Sequence, residues 1–126
     1  MQGTKEQAAL RGSEGENLAA SYLELQGLKV RERHYFTRYG EIDLICQDRD
    51  NTWVFVEVKT RTRFSNPTAA ESITPAKQKK IVGCALSYMK RHGLADQQMR
   101  FDVVLLEDAM VEWIPAAFEP AVDYSF

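Results

Sequence analysis

A helix, three strands, a second helix and then one or two late strands are legible in order along the chain, and this order predicts an α/β (α+β) domain around one mixed sheet. Three observations carry the prediction. Apolar residues recur at helical spacing at both Leu18 to Leu25 and Ile81 to Met89, and the runs between them alternate or are rich in valine and aromatics. The total of 126 residues, 44% of them hydrophobic, supplies one ordinary core and leaves little room for a second. Residues 1–126 are therefore expected to form a single domain, with 1–12 a flexible arm and 115–126 a tail.

Thr4 to Gln26 is rich in helix formers, and Gly27 is suited to end the helix. Gly12 and Gly15 weaken its first half, so the helix is expected to start near Ser13. Leu28 to Thr37, Glu41 to Gln47 and Thr52 to Lys59 read as strands, separated by Tyr39-Gly40 and by Asp48 to Asn51. Such short connections make an antiparallel meander. Arg61 to Ile73, with Ser65-Asn66-Pro67 inside it, is the longest irregular stretch and the expected place for a mobile, functional loop. Thr74-Pro75 then supplies an N-cap and a first-turn proline, and Gly93 sits just past a cationic last turn. Met99 to Leu106 is a buried strand, Val111 to Ile114 a shorter one, and Pro115 to Phe126 lacks clear periodicity. The helix from Pro75 crosses over between the third and fourth strands, so that both sheet faces are buried.

Composition excludes several classes. No apolar run approaches the roughly 20 residues of a membrane span, and the polar Met1 to Gln7 lacks the apolar stretch of a secretory signal. Cytoplasmic residence, with no membrane partner, is the resulting expectation. Cys46 and Cys84 are too few for a disulfide scaffold, and with His34 and His92 they show no metal-ligand spacing. The net charge of -2 conceals an asymmetry: Lys59 to Arg91 carries +7 and the remainder -9. A basic middle on an acidic chain is the pattern of a phosphate-binding face, although lysines clustered on a helix also serve simply as its solvated side.

The chemistry concentrates on the second and third strands. In Val54-Phe55-Val56-Glu57-Val58-Lys59 the side-chain period of two places Glu57 and Lys59 on one face, together with Phe55. A turn centred near Asp50 makes opposed residue numbers sum to about 100, which sets Asp43 against Glu57 and Glu41 against Lys59. Two opposed carboxylates repel by roughly 3 kcal/mol at an effective dielectric near 20. A divalent cation bridging them removes that penalty, and hard oxygen ligands with open positions are what Mg²⁺ or Mn²⁺ prefer. Lys59 could then orient a water and offset charge on a scissile phosphate. Glu16 can join from the first helix, since Ala19, Ala20 and Leu23 put it near the sheet-facing side. The competing possibility is a partly buried ion-pair network of Asp43, Glu57 and Lys59 that merely fixes strand register.

With these residues placed, several motifs in order resemble one family. Gly12-x-x-Gly15-Glu16, Gly40-Glu41-Ile42-Asp43-Leu44-Ile45, Phe55-Val56-Glu57-Val58-Lys59-x-Arg61, Lys77-Gln78 and Arg100-Phe101-Asp102-Val103 resemble the YraN-like family of small uncharacterised bacterial proteins, from about Gly12 to Leu106. That family is similar to the restriction-endonuclease-like PD-(D/E)xK superfamily and to archaeal Holliday-junction resolvases. The resemblance implies a restriction-endonuclease-like αβββαβ core, a mixed central sheet flanked by helices and a metal-dependent phosphodiesterase site. It matches Asp43 to the motif aspartate, Glu57 and Lys59 to the ExK pair, Glu16 to the helical glutamate of resolvase-like members and Gln78 to the polar residue on the following helix. Ile42 stands where the superfamily name has proline, and Ser65-Asn66 where a glycine is expected after Phe64.

The expectation is a Mg²⁺- or Mn²⁺-dependent nuclease acting on nucleic acid, DNA in preference to RNA. Asp43 and Glu57 would be the metal ligands, Lys59, Glu16 and Gln78 would complete the catalytic set, and Arg61, Arg63, Lys77 and Lys80 would hold the phosphate backbone. The alternatives are a nucleic-acid-binding protein of the same fold without catalytic activity, and a purely structural interaction protein. A resolvase-like role favours a homodimer, for which Trp113, Phe118 and Tyr124 offer apolar surface unless they complete the monomer's own core.

Overall fold

The computed structural model describes residues 5–61, 73–108 and 110–120, with side chains from residue 14 onward. The elements run α1 (Lys5–Leu25), β1 (Lys29–Thr37), β2 (Gly40–Gln47), β3 (Trp53–Arg61), α2 (Pro75–Arg91), β4 (Met99–Glu107) and β5 (Met110–Phe118). The five strands form one sheet in the order β1-β2-β3-β4-β5, antiparallel except for the parallel β3–β4 pair that α2 bridges. Each face of the sheet carries one helix. Phe55, Phe101 and Ile45 pack with Ile81, Val82 and Tyr88 of α2 on one side, and Leu44, Val54, Val56 and Val104 pack with Ala19, Ala20 and Leu23 of α1 on the other.

Two boundaries differ from expectation. Helix α1 starts at Lys5, because Lys5 to Leu10 are strong helix formers whose preference outweighs Gly12. The arm expected over residues 1–12 is therefore helical from Lys5 on, and residues 1–4 lie outside the described residues. At the other end, Pro115 to Phe118 belong to β5, where a tail was expected. Proline is tolerated there because β5 is an edge strand that needs no outward N–H. Its periodicity is hidden by a bulge: β4–β5 pairing shifts between Phe101 and Val103, and Ala116 takes a positive φ of 49°.

Helix α2 begins as its sequence predicts. The Thr74 side chain caps the Lys77 N–H at 3.2 Å, Pro75 occupies the first turn, and Lys90 and Arg91 lie in the last. Cys46 and Cys84 are buried free thiols, and burial pushes that of Cys46 up to about 12. Trp113 and Phe118 serve the core of this chain. Trp113 packs against the α1-side cluster and Phe118 stacks on Phe101 at 5.1 Å, while Tyr124 lies outside the described residues. No helix among the described residues is long and apolar enough to cross a membrane.

Candidate active site

Strands β2 and β3 pair in the expected register, with Leu44 opposite Val56 and Gln47 opposite Trp53. The backbone ladder ends at Leu44↔Val56, one step short of the two acids. In place of the next rung, Asp43 Oδ2 accepts a 2.8 Å hydrogen bond from the Val58 N–H. The carboxylate thus substitutes for a strand carbonyl and wedges the ends of β2 and β3 apart. Ile42 packs with the α2-side core and Leu44 with the α1-side core, and Asp43 stands between them.

This opening brings acidic groups together. The Asp43 and Glu57 carboxyls are near enough for each to shift the other's ionisation, and Lys59 Nζ lies 3.3 Å from Glu57 Oε1. Burial, then the charge of Asp43, pushes Glu57 up to about 7 against the opposing pull of Lys59. Burial also raises Asp43, opposed by the Val58 N–H and the Glu57 carboxyl. At neutral pH the pair therefore holds a shared proton for part of the time.

Glu16 reaches the same place from α1. A Cβ at Gly15 would come within 3.1 Å of the Leu106 side chain, so glycine lets this turn of α1 lie close on the sheet. Burial raises Glu16, His34 lowers it, and Asp43 and Glu41 push it up again. Its partner is His34, whose Nε2 pairs with Glu16 Oε2. Nothing in the spacing of His34 along the sequence points to this role. The missing signal is backbone geometry: His34 has a positive φ of 53°, which breaks strand alternation and turns the imidazole towards α1.

The remaining expected residues are distributed unevenly. Lys77, in the first turn of α2, stands close to the Lys59 amine, and the nearness of this second cation holds its own amine below the usual lysine range. Gln78 donates from Nε2 to the Ile73 carbonyl at 3.0 Å, tying down the entry to α2. Arg61 forms an ion pair with Glu107 at 3.2 Å, and Lys80 is exposed beside the β1–β2 turn. Arg63 and most of the irregular stretch, residues 62–72, lie outside the described residues.

A second polar cluster was not foreseen. Asp102 is fully buried and accepts from Arg100 Nε at 3.1 Å, Trp113 Nε1 at 2.9 Å and the Ala116 N–H at 2.9 Å. Arg100 also holds Asp48 at 2.7 Å, which anchors the β2–β3 turn to β4. Alternation of Arg100-Phe101-Asp102-Val103 would have put Arg100 and Asp102 on one face, but the bulge that delivers the Ala116 N–H has no sequence signature.

A divalent cation of the kind the resemblance implies suits this donor set. Asp43 and Glu57 offer hard oxygen ligands held together against their own repulsion, and Mg²⁺ is commonly bound by one or two carboxylates with water and phosphate oxygens completing the shell. Among the described residues, no third His, Cys, Asp or Glu joins them in a metal-binding group.

A five-stranded mixed sheet between two helices, with an aspartate, a glutamate and a lysine at the splayed end of its central hairpin, is an α+β domain compatible with a restriction-endonuclease-like core. Within that class, residues 15–106 match the family described as Uncharacterised protein family UPF0102, and the chain belongs to it. Its relatives include a UPF0102 protein of Methylibium petroleiphilum, 43% identical over 114 residues that cover 86% of this chain and 93% of the relative. Another, from Dechloromonas aromatica, is 46% identical over 108 residues, covering 86% and 88% respectively.

Proposed function

We propose that this protein hydrolyses phosphodiester bonds in nucleic acid, DNA in preference to RNA, with the help of Mg²⁺ or Mn²⁺. The observation that carries the proposal is the placement of Asp43 and Glu57 where the β2–β3 ladder ends, with the Lys59 amine beside them. Like charges held in a half-buried site destabilise a fold, and a cation with a phosphate ligand would relieve that. A purely structural network would have kept the two acids apart, each with its own donor, whereas here the charge of Asp43 bears on Glu57 as well.

Asp43 and Glu57 would hold the cation. When bound, it would supply Lewis acidity towards the scissile phosphate and lower the pKa of a water ligand. Lys59, released from its contact with Glu57, is placed to orient the attacking water and to offset charge growing on the phosphate. Val58 keeps Asp43 in position through its N–H. Glu16, held by His34, stands behind Asp43, where it can accept a proton through an intervening water. Gln78 steadies the start of α2 and with it Lys77, while Arg61 and Lys80 contribute positive charge towards the backbone.

The alternative, a nucleic-acid-binding protein without catalysis, has one observation in its favour: Lys59 is already paired with Glu57. Incubation of the protein with branched, single-stranded and duplex DNA and with RNA, with Mg²⁺ or Mn²⁺, separates the two. Cleavage lost in Asp43→Asn and Glu57→Gln, with binding retained, is the expected result. Salt-sensitive binding without cleavage of any substrate would leave the binding protein.

A further inference from the structure

A groove on the α2 side of the sheet has not entered the site described above. It is a cavity of about 650 Å³ between the β1–β2 turn, with Arg38 and Tyr39, and the face of α2 that carries Gly83, Ser87 and Lys90. Cations stand on both walls. No carboxylate lies among the described residues that line it. Arg38 is held over the Tyr39 ring at 5.0 Å and donates to its hydroxyl at 2.8 Å, so the guanidinium is steadied at the rim.

The groove runs on from the candidate active site. Lys77 lies at the site beside Lys59. Three residues further along, the Lys80 Cβ is 3.8 Å from where a Cβ of Gly40 would stand, so the β1–β2 turn meets α2 there. Lys80, Gly83, Ser87 and Lys90 follow at i, i+3, i+7 and i+10, which places them on one helix face. Gly83 and Ser87 leave the hollow, Lys90 lines it, and Lys80 precedes it on the same helix face. Gly83 within a helix sacrifices about 1 kcal/mol of helix propensity relative to alanine, and the hollow is the visible return.

We infer that this groove binds the nucleic-acid strand that continues from the scissile bond, through its phosphates. The inference rests on the function proposed above and extends it by naming the path of the strand. Lys80 to Lys90 spans about 15 Å of helix, enough to meet more than one successive phosphate of a strand lying along it. Cationic walls with a hydroxyl and a glycine between them match a phosphodiester strand. Contacts to phosphates carry no sequence information, so binding along the groove is expected to be insensitive to sequence.

The test is equilibrium binding of a fluorescent single-stranded oligonucleotide across a salt series, in Mg²⁺-free buffer. Arg38→Gln and Lys90→Gln are each compared with Lys29→Gln, an equal change of charge on an exposed residue at the far end of β1. Each groove variant should reduce the slope of log affinity against log salt by about 0.7, about a five-fold loss at 0.1 M salt relative to 1 M. Arg38→Lys should restore most of that slope. Lys29→Gln should leave it unchanged, and cleavage of a dinucleotide too short to reach the groove should be unaffected by any of these variants. Groove variants that behave like Lys29→Gln would overturn the inference while leaving the proposed activity standing. Groove-dependent binding by a protein that cleaves nothing would uphold the groove and reject the activity. A parent protein that binds no oligonucleotide would overturn both.

Discussion

Asp102 and Asp43 are both strand aspartates placed next to the core, and the fold treats them in opposite ways. Asp102 is fully buried and its oxygens receive an arginine, an indole N–H and a backbone N–H. Asp43 receives one backbone N–H and has a second carboxyl, Glu57, as its neighbour. A buried carboxylate surrounded by donors is a solved problem that locks β4, β5 and the β2–β3 turn together. A carboxylate facing another acid is an unsolved one, and it becomes stable in ionised form only when something positive arrives. The contrast separates the part of the molecule that holds the sheet from the part available for chemistry.

The largest effect should come from the satisfied cluster. Asp102→Ala leaves the Trp113 and Ala116 N–H groups and one side of Arg100 without an acceptor, and is expected to destabilise the protein by about 3–5 kcal/mol in chemical denaturation. A loss below about 1 kcal/mol would erase the distinction between the two sites.

The unsatisfied pair should respond with the opposite sign. Glu57 is raised from an ordinary 4.5 to about 7, so between those values the folded state binds a proton that the unfolded state has released. The Glu57 contribution to the stability of the metal-free protein should therefore be fullest below about pH 4.5 and fall by about 3 kcal/mol as the pH rises through 7. Glu57→Gln should flatten that slope and, at pH 8, be more stable than the parent. Added Mg²⁺ should stabilise the parent at pH 8 and leave Glu57→Gln unchanged, because only deprotonated carboxylates bind the cation well. Thermal unfolding of both proteins from pH 4 to 8, with and without Mg²⁺, reads all three. A Glu57→Gln variant that is less stable than the parent throughout would make Glu57 a structural partner of Lys59.

The smallest effect belongs to the partly exposed Arg61–Glu107 pair at 3.2 Å. Arg61→Gln should change stability by less than about 1 kcal/mol, as such pairs do, and should lower the salt dependence of nucleic-acid binding by about one phosphate contact. A large stability loss in urea would place Arg61 with Asp102 among the residues that hold the sheet.

Much of the architecture was legible because it depends on local periodicity. Thr74-Pro75 marks the start of α2, the valine-rich alternation of Trp53 to Val58 marks β3, and a turn near Asp50 is enough to set the β2–β3 register. The start of α1 and the end of β5 were not legible. The first depends on how far strong helix formers outweigh a single glycine, and the second on a bulge at Ala116 that scrambles the period of two. The pairing of Glu57 with Lys59 could be expected from one strand alone, but the arrival of His34 beside Glu16 could not, because it requires a left-handed backbone at His34.

The element order, the two-faced sheet and the shared face of Glu57 and Lys59 on β3 follow from side-chain period and turn length, whereas on β2 the period breaks at Asp43, with Ile42 and Leu44 on opposite faces. Tertiary structure alone decided that the β2–β3 ladder ends one step before Asp43, that Asp43 turns its carboxylate onto the Val58 N–H, and that Asp102 gathers donors from two strands. The physical reason is range. Periodicity is a property of neighbours along the chain, whereas satisfaction of a half-buried charge depends on groups up to tens of residues away, and only the folded molecule brings those within hydrogen-bonding distance.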